Sequence, residues 1–243
     1  MLDVAARLAL SPLLIAQAIA VLYRAQSLPE AAGPRHGTLG AGPPLRLRII
    51  GDSSAAGVGV DDQQHALAGQ LAGMLAQVFT VTWDLDAITG ATTRSTLHRL
   101  ALRAPDRADV IVTALGVNDV TRQVPAWVWL RQQRALHARL HALYAPRLIY
   151  VTGMAPMDHF PLLPNPLRWT LARHARKLEA ALVQDLSRQP GLIHVPFSAS
   201  PAPVLMAQDG FHPSARLYTL WAQEMASRII SDWPASSSLS GSA

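Results

Sequence analysis

Two short motifs, one in each half of the chain, carry residue types suited to nucleophilic catalysis. A Gly-Asp-Ser motif ending at Ser53 follows the apolar run Leu45–Ile50, and an Asp-Gly-Phe-His motif runs from Asp209 to His212. A serine hydroxyl becomes an effective nucleophile when a histidine accepts its proton and a carboxylate orients that histidine. The three-residue spacing of Asp209 and His212 suits the second contact. Ser53, His212 and Asp209 are therefore candidates for nucleophile, base and orienting residue.

Two further motifs offer hydrogen-bond donors for a developing oxyanion. A Gly-Val-Asn-Asp motif containing Asn118 follows the apolar run Val110–Leu115, and Gly90 follows the run Val81–Ala87. A glycine N–H and an asparagine amide are both suitable donors. Each motif alone is weak, because Gly and Asn are common in turns. Together the four motifs supply nucleophile, base, orienting residue and donors.

The elements that must position these residues alternate between strand-like and helix-like patterns. Short apolar runs bounded by turn residues predict strands, and segments with apolar residues at helical spacing separate them. Such alternation predicts an α/β fold with a parallel sheet covered by helices on both faces, and ligands bind at the carboxyl ends of its strands. The predicted strands are Leu45–Ile50, Val81–Ala87, Val110–Leu115, Leu148–Gly153 and Leu192–Val195.

Length and composition restrict the function classes. The 243 residues suffice for one α/β domain, and the absence of cysteine excludes disulfides, iron–sulfur clusters and a cysteine nucleophile. The net charge is +5, but the 21 basic residues are dispersed and all except Lys177 are arginine, so we expect no nucleic-acid partner. No G-x-S-x-G or P-loop motif occurs, and His137 and His141 lack a third zinc ligand. The sequence therefore predicts no metal and no cofactor.

The ends of the chain differ from its centre. Residues 1–44 are predicted to form an apolar helical leader and a Pro/Gly-rich arm, residues 45–233 the catalytic domain, and residues 234–243 a disordered tail. The apolar run within residues 1–26 is too short and too interrupted to span a bilayer, and it lacks the layout of a secretory signal. We therefore favour a cytoplasmic or membrane-associated location over secretion. Residues 1–26 either contact a membrane peripherally, or pack on their own domain or on a second subunit.

In their order along the chain, the four motifs resemble the signature blocks of the SGNH hydrolases, also called GDSL esterases and lipases. The family's Ser, Gly, Asn and His correspond to Ser53, Gly90, Asn118 and His212, and the resemblance covers about residues 45–232. One departure is Ser54, which stands where the family name records leucine. The resemblance implies a flavodoxin-like three-layer α/β/α sandwich with a five-stranded parallel sheet, preceded here by the N-terminal helical extension.

The resemblance also implies the chemistry. Ser53 attacks an ester carbonyl with His212 as base and Asp209 orienting it. The backbone N–H groups of Ser53 and Gly90 and the Asn118 amide hold the oxyanion, while the two acidic residues of the first and third motifs fix their loops. The expected reaction is hydrolysis of short- to medium-chain acyl esters. An acyltransferase, a carbohydrate O-acetylesterase and a catalytically idle membrane- or acyl-binding module are the alternatives.

A proline-rich segment after the fourth predicted strand is the candidate for substrate binding. It runs from Met154 to Trp169 at the predicted active edge. Four of its apolar side chains are expected to line an acyl pocket, unless the segment is simply a loop packed on the core. These residues are Met154, Met157, Phe160 and Leu162.

Overall fold

One sheet organises the protein. The computed structural model describes residues 2–24, 26–197 and 203–237 of the chain. The strands in this part are β1 (His36–Leu39), β2 (Pro44–Gly51), β3 (Thr80–Ala87), β4 (Val110–Ala114), β5 (Leu148–Thr152) and β6 (Leu192–Val195). Their order in the sheet is β1-β3-β2-β4-β5-β6.

The five strands β2 to β6 are parallel and correspond to the five predicted ones, with every boundary correct to within one residue. Their order, β3-β2-β4-β5-β6, is that of flavodoxin-like folds. The predicted fold class is therefore confirmed. Strand β4 is buried along its whole length, and this explains its uninterrupted apolar sequence.

The sixth strand is a correction to the prediction. Strand β1 lies in the segment that we interpreted as a Pro/Gly-rich arm, and it pairs antiparallel with β3 at the edge of the sheet, from His36 opposite Asp84 to Leu39 opposite Val81. Its sequence, His-Gly-Thr-Leu, has no apolar alternation because an edge strand that is mostly exposed buries neither face. The arm is thus part of the catalytic domain.

Helices cover both faces of the sheet. The helix bounds are α1 (Leu2–Arg24), α2 (Leu67–Leu75), α3 (Thr93–Ala101), α4 (Val117–Thr121), α5 (Ala126–Tyr144), α6 (Leu167–Leu186) and α7 (Ala215–Ser237). Helices α2 and α7 pack on one face of the sheet, around a core that includes Leu71, Tyr218 and Met225. Helices α3 to α6 pack on the other face, around Trp129, Leu140 and other buried residues.

The predicted helical leader is α1, which packs against α6 on the outside of the domain. No helix in the described part of the chain is long and apolar enough to cross a membrane. At the other end, α7 extends to Ser237, so the first four residues of the predicted disordered tail are helical. The rest of that tail, residues 238–243, lies outside the described residues.

Candidate active site

Ser53, His212 and Asp209 meet at the carboxyl edge of the sheet. Ser53 lies just after β2, and His212 lies three residues before α7. The His212 Nε2 atom is 3.0 Å from the Ser53 hydroxyl oxygen, and its Nδ1 atom is 2.5 Å from Asp209 Oδ2. An ionised carboxylate only accepts hydrogen bonds, so Nδ1 carries the imidazole proton and Nε2 is free to accept one from Ser53.

Asp209 is held by the turn that it begins. Its Oδ1 atom accepts hydrogen bonds from the backbone N–H groups of Phe211 and His212, each at 3.0 Å. Burial alone would raise the pKa of the Asp209 carboxyl, but the hydrogen bonds from His212 and from these two amides outweigh burial and lower it. The carboxylate therefore stays ionised beside His212.

The loop that carries Ser53 depends on a close backbone approach. A Cβ atom on Gly51 would lie 2.4 Å from the Ala55 Cβ and 2.7 Å from the Ala114 carbonyl oxygen, so only glycine fits. The next residue, Asp52, accepts hydrogen bonds from the Ser54 hydroxyl at 2.8 Å and the Ser54 N–H at 3.0 Å. Ser54 is thus committed to Asp52, whereas the Ser53 hydroxyl faces His212.

Two backbone N–H groups are free to bind an oxyanion. Among the hydrogen bonds formed by the described residues, none uses the N–H of Ser53 or of Gly90. Gly90 has a φ of +77°, a conformation that L side chains rarely adopt, and open space surrounds the position of its missing Cβ. Both amides are therefore available as donors without breaking an existing bond.

The Asn118 amide is less free. Its Nδ2 atom donates to the carbonyl oxygen of Ala91 at 3.0 Å and to Asp52 Oδ2 at 3.2 Å. The carbonyl oxygen can only accept, so the orientation of this amide is fixed. Asn118 ties the loop of Gly90 to the loop of Ser53, and it must release one bond to donate to an oxyanion.

Two buried carboxyl groups lie behind the loops. Burial raises the pKa of Asp52 and that of Asp119, against the hydrogen bonds from Ser54 and Thr93 respectively. Asp119 Oδ2 accepts from the backbone N–H of Thr93 at 3.0 Å and from its hydroxyl at 2.9 Å. Asp119 thereby fixes the start of α3, directly after the loop of Gly90.

Sequence reasoning missed Glu30, which lies in the arm. Its Oε1 atom accepts hydrogen bonds from the N–H and hydroxyl of Thr89, at 2.8 and 2.7 Å, and its Oε2 atom pairs with Arg35. Burial opposes these contacts, but they lower the pKa of the Glu30 carboxyl. Glu30 therefore holds the loop of Gly90 at Thr89, whereas Asn118 holds it at Ala91. No motif marks a residue that lies 59 positions from its partner.

An apolar cleft opens beside Ser53 and His212. It contains about 680 Å³ of empty space, including its open mouth, and its lining is mostly apolar. Of the four predicted pocket residues, Met154 and Phe160 line it. The other two do not: Met157 is fully buried in the core beneath α6, and Leu162 instead binds the Gly210 carbonyl oxygen through its backbone N–H. Two of the four predicted residues therefore lie in the wall of the cleft, and two lie outside it.

Three aromatic residues to which sequence reasoning gave no pocket role form further parts of the wall. Phe211, within the Asp-Gly-Phe-His motif, packs edge-on against Phe160 at 5.1 Å between ring centres. Phe197 and Trp221 form a second edge-to-face pair at 5.4 Å. This pair also lines a second groove, along the outer side of α7, and so separates the groove from the cleft.

The two helix histidines do not form a metal site. His137 is buried in α5 and burial lowers its pKa to about 4, whereas His141 is exposed. Within the described residues, no group of three or more His, Asp or Glu side chains is arranged to hold a metal ion.

Comparison with known proteins points to one family. Residues 49–220 match the model of the GDSL-like lipase/acylhydrolase family, while no curated protein sequence matches the chain significantly. A catalytic mutant of Axe2, an acetylxylan esterase from Geobacillus stearothermophilus, is 18% identical, with a TM-score of 0.56 over 79% of this chain and 96% of its own. The esterase EstA from a Pseudoalteromonas species, inhibited by monoethylphosphonate, is 20% identical, with a TM-score of 0.60 over 78% and 98%. TesA is 20% identical, with a TM-score of 0.61 over 76% and 97%.

Proposed function

The chain belongs to the GDSL-like lipase/acylhydrolase family and is a carboxylic ester hydrolase, and from that premise we propose that it cleaves short- to medium-chain acyl esters through an acyl-enzyme on Ser53. The observation that carries the proposal is the 3.0 Å contact between the Ser53 hydroxyl and His212 Nε2 at the mouth of an apolar cleft. The other contacts of the site supply a role for each remaining group.

Acylation begins with transfer of the Ser53 proton to His212 Nε2 as the oxygen attacks the ester carbonyl. The imidazolium that forms is stabilised by Asp209, which already accepts the Nδ1 proton. Collapse of the tetrahedral intermediate breaks the bond to the alcohol, and His212 returns its proton to the departing alkoxide oxygen. The acyl group is then bonded to Ser53, with its chain in the cleft.

The N–H groups of Ser53 and Gly90 are the donors to the oxyanion, because neither has another partner among the described residues. Asn118 becomes the third donor by giving up the longer of its two bonds, the one to Asp52. Deacylation reverses the roles: His212 takes a proton from water, the hydroxide attacks the acyl carbonyl, and the proton returns to Ser53 as the carboxylic acid leaves.

The shape of the cleft supports a short acyl chain. Its walls are the apolar side chains of Met154, Phe160 and Phe211, and the edge-to-face pair of Phe197 and Trp221 closes it toward the groove beside α7. A chain that extends toward the groove beside α7 meets these two rings. We therefore expect kcat/KM to be highest for short- to medium-chain esters and to fall for long chains.

The test is hydrolysis of a series of p-nitrophenyl esters, from acetate to palmitate, by the wild type, Ser53→Ala and Ser54→Ala. We expect a maximum at short or medium chains, no turnover by Ser53→Ala, and turnover by Ser54→Ala within a few-fold of the wild type. Ester turnover by Ser53→Ala would contradict the proposed acyl-enzyme on Ser53. A maximum at palmitate overturns the chain-length proposal while leaving the nucleophile intact.

Product analysis separates hydrolysis from acyl transfer, which would use the same acyl-enzyme. The wild type is incubated with p-nitrophenyl acetate in the presence of glycerol or a xylooligosaccharide, and free acetate and acetylated acceptor are quantified. Free acetate as the main product supports the hydrolase. Acetylated acceptor in excess over free acetate would make the chain an acyltransferase.

A further inference from the structure

Helix α1 is oriented with its polar side inward. Between Arg7 and Arg24 the chain has no charged residue, and Gln17 is one of only two polar side chains before Tyr23. Gln17 points into the domain, where its Nε2 atom donates to the Asn165 carbonyl oxygen at 2.7 Å and its Oε1 atom accepts from the Leu167 N–H at 3.0 Å. This contact fixes α1 at the start of α6.

The inward face of α1 is completed by three apolar residues one helical turn apart, which pack on the core beneath α6: Leu14, Ala18 and Val21. The opposite face is apolar and exposed. It consists of Leu13, Ile15, Ile19, Leu22 and Tyr23, of which Leu22 is 77% and Tyr23 88% exposed. A surface helix normally turns its polar side outward. An exposed apolar face therefore indicates a contact with an apolar partner, which covers it.

The surface beside this face carries aromatic and cationic side chains. On the first turns of α6, Trp169 is exposed and the Arg173 guanidinium lies over its ring at 5.6 Å from the centre. The start of the neighbouring helix α5 repeats the arrangement, with Arg131 at 5.8 Å over the exposed ring of Trp127. Tryptophan and arginine are the residues that occupy the boundary between lipid headgroups and acyl chains.

We propose that the exposed face of α1, formed by Leu13, Ile15, Ile19, Leu22 and Tyr23, binds the surface of an anionic phospholipid membrane, with the arginines of α5 and α6 contacting headgroup phosphates. The apolar face enters the interface lying flat, as amphipathic helices do.

The charge of this surface favours a lipid membrane over a second copy of the chain as the partner that covers the apolar face of α1. A two-fold contact through α1 would bring the same surface of each copy together, and with it the arginine-bearing surface of α6. Like charges near such a contact repel one another, whereas anionic headgroups attract them. The net charge of +5 favours the same partner.

The placement of α1 also gives the membrane a direction relative to the site. Gln17 binds next to the first residue of α6, and α6 follows the loop that leaves the carboxyl end of β5. Ser53 lies at the same edge of the sheet. A membrane bound to this face therefore lies toward the edge of the domain that carries the cleft.

The experiment is co-sedimentation of the full chain with vesicles of pure phosphatidylcholine and with vesicles of equal parts phosphatidylcholine and phosphatidylglycerol. The Ser53→Ala background prevents hydrolysis of any lipid. The test variant is Ile19→Asp/Leu22→Asp. The control is Val78→Asp/Leu102→Asp, which makes the same change of charge at residues that are 44% and 89% exposed and lie outside α1, α5 and α6.

We expect binding to the anionic vesicles that weakens with added salt, an affinity at least tenfold lower in the test variant, and an unchanged affinity in the control. The test variant with Ser53 restored should hydrolyse p-nitrophenyl acetate at the wild-type rate, which shows that it folds. Absence of binding by the parent protein, or equal binding by test and control variants, overturns the proposal. So does a dimer in sedimentation velocity that only the test substitutions dissociate, because that identifies a second copy as the cover.

Discussion

The catalytic centre and the acyl cleft lie at the same edge of the sheet, yet they are built differently. In the catalytic centre, Asp209 and His212 are three residues apart and fixed by hydrogen bonds within their own turn. In the cleft, Phe160, Phe197 and Trp221 come from three separate segments and meet only through packing. The Asp209–His212 pair is specified by local hydrogen bonds, whereas the cleft is specified by the tertiary fold.

This difference shows that the residues for the chemical reaction can be recognised from short motifs, whereas the residues for substrate preference cannot. The reaction needs a few polar atoms at fixed positions, and motifs of three or four residues provide each of them. Substrate preference needs a volume, and a volume depends on side chains from distant parts of the chain. We therefore expect substitutions in the catalytic centre to reduce turnover of every ester, and substitutions in the cleft to change the choice between esters.

The largest effect is expected for His212→Ala. Loss of the base leaves the Ser53 hydroxyl protonated, so kcat should fall roughly 10⁴-fold or more for all chain lengths, with little change in KM. Steady-state kinetics with acetate and octanoate esters measures this. A loss of kcat for one ester that exceeds the loss for the other by more than tenfold would contradict the separation of catalytic centre and cleft.

Asn118→Ala should have the next largest effect. Removal of one oxyanion donor typically costs ~10²–10³ in kcat, and here it also unties the loop of Gly90 from that of Ser53. Because the oxyanion forms only during reaction, KM should stay within a few-fold of the wild type. A rise in KM with unchanged kcat would instead make Asn118 a substrate-binding residue.

A smaller effect is expected for Glu30→Gln. The variant retains the shape of the side chain but weakens the hydrogen bonds from Thr89 and the ion pair with Arg35, so the loop of Gly90 is held less firmly. We expect kcat to fall about tenfold for acetate and octanoate esters alike, as for a loss of roughly 1.4 kcal/mol in transition-state binding. Glu224→Gln, which alters an ion pair within α7, is the control and should leave kcat unchanged.

Phe197→Ala should have the smallest effect on turnover but the clearest effect on selectivity. Opening the wall between the cleft and the groove beside α7 is expected to raise the ratio of kcat/KM for decanoate over acetate about fivefold, because roughly one more methylene is buried at ~0.8 kcal/mol. Leu162→Ala is the matched control: sequence reasoning placed it in the pocket, and the structure places it outside. An equal change in both variants would contradict the assignment of the wall.

The same division explains what the sequence predicts well. The five parallel strands could be located because their apolar runs end at turn residues, and β4 and β5 are buried along their whole length. Ser53, Gly90, Asn118 and His212 could be selected because each belongs to a motif at the end of a predicted strand or before the last helix. In both cases the signal lies within a few neighbouring residues.

The failures have one physical cause in common. Strand β1 is an edge strand whose partner is more than 40 residues away, and Glu30 reaches Thr89 over a similar distance. Met157 and Leu162 have the apolar character of pocket residues, but whether an apolar side chain faces the cleft or the core depends on the packing of the whole segment. No local pattern contains that information.

The central claim, that Ser53 alone carries the acyl group, is tested most directly by trapping it. The wild type, Ser53→Ala and Ser54→Ala are each treated with an ethyl p-nitrophenyl phosphonate, and the labelled peptide is sequenced by mass spectrometry. We predict one adduct per chain on Ser53 in the wild type and in Ser54→Ala, and none in Ser53→Ala. An adduct on Ser54, or ester hydrolysis that continues after stoichiometric labelling of Ser53, would contradict it.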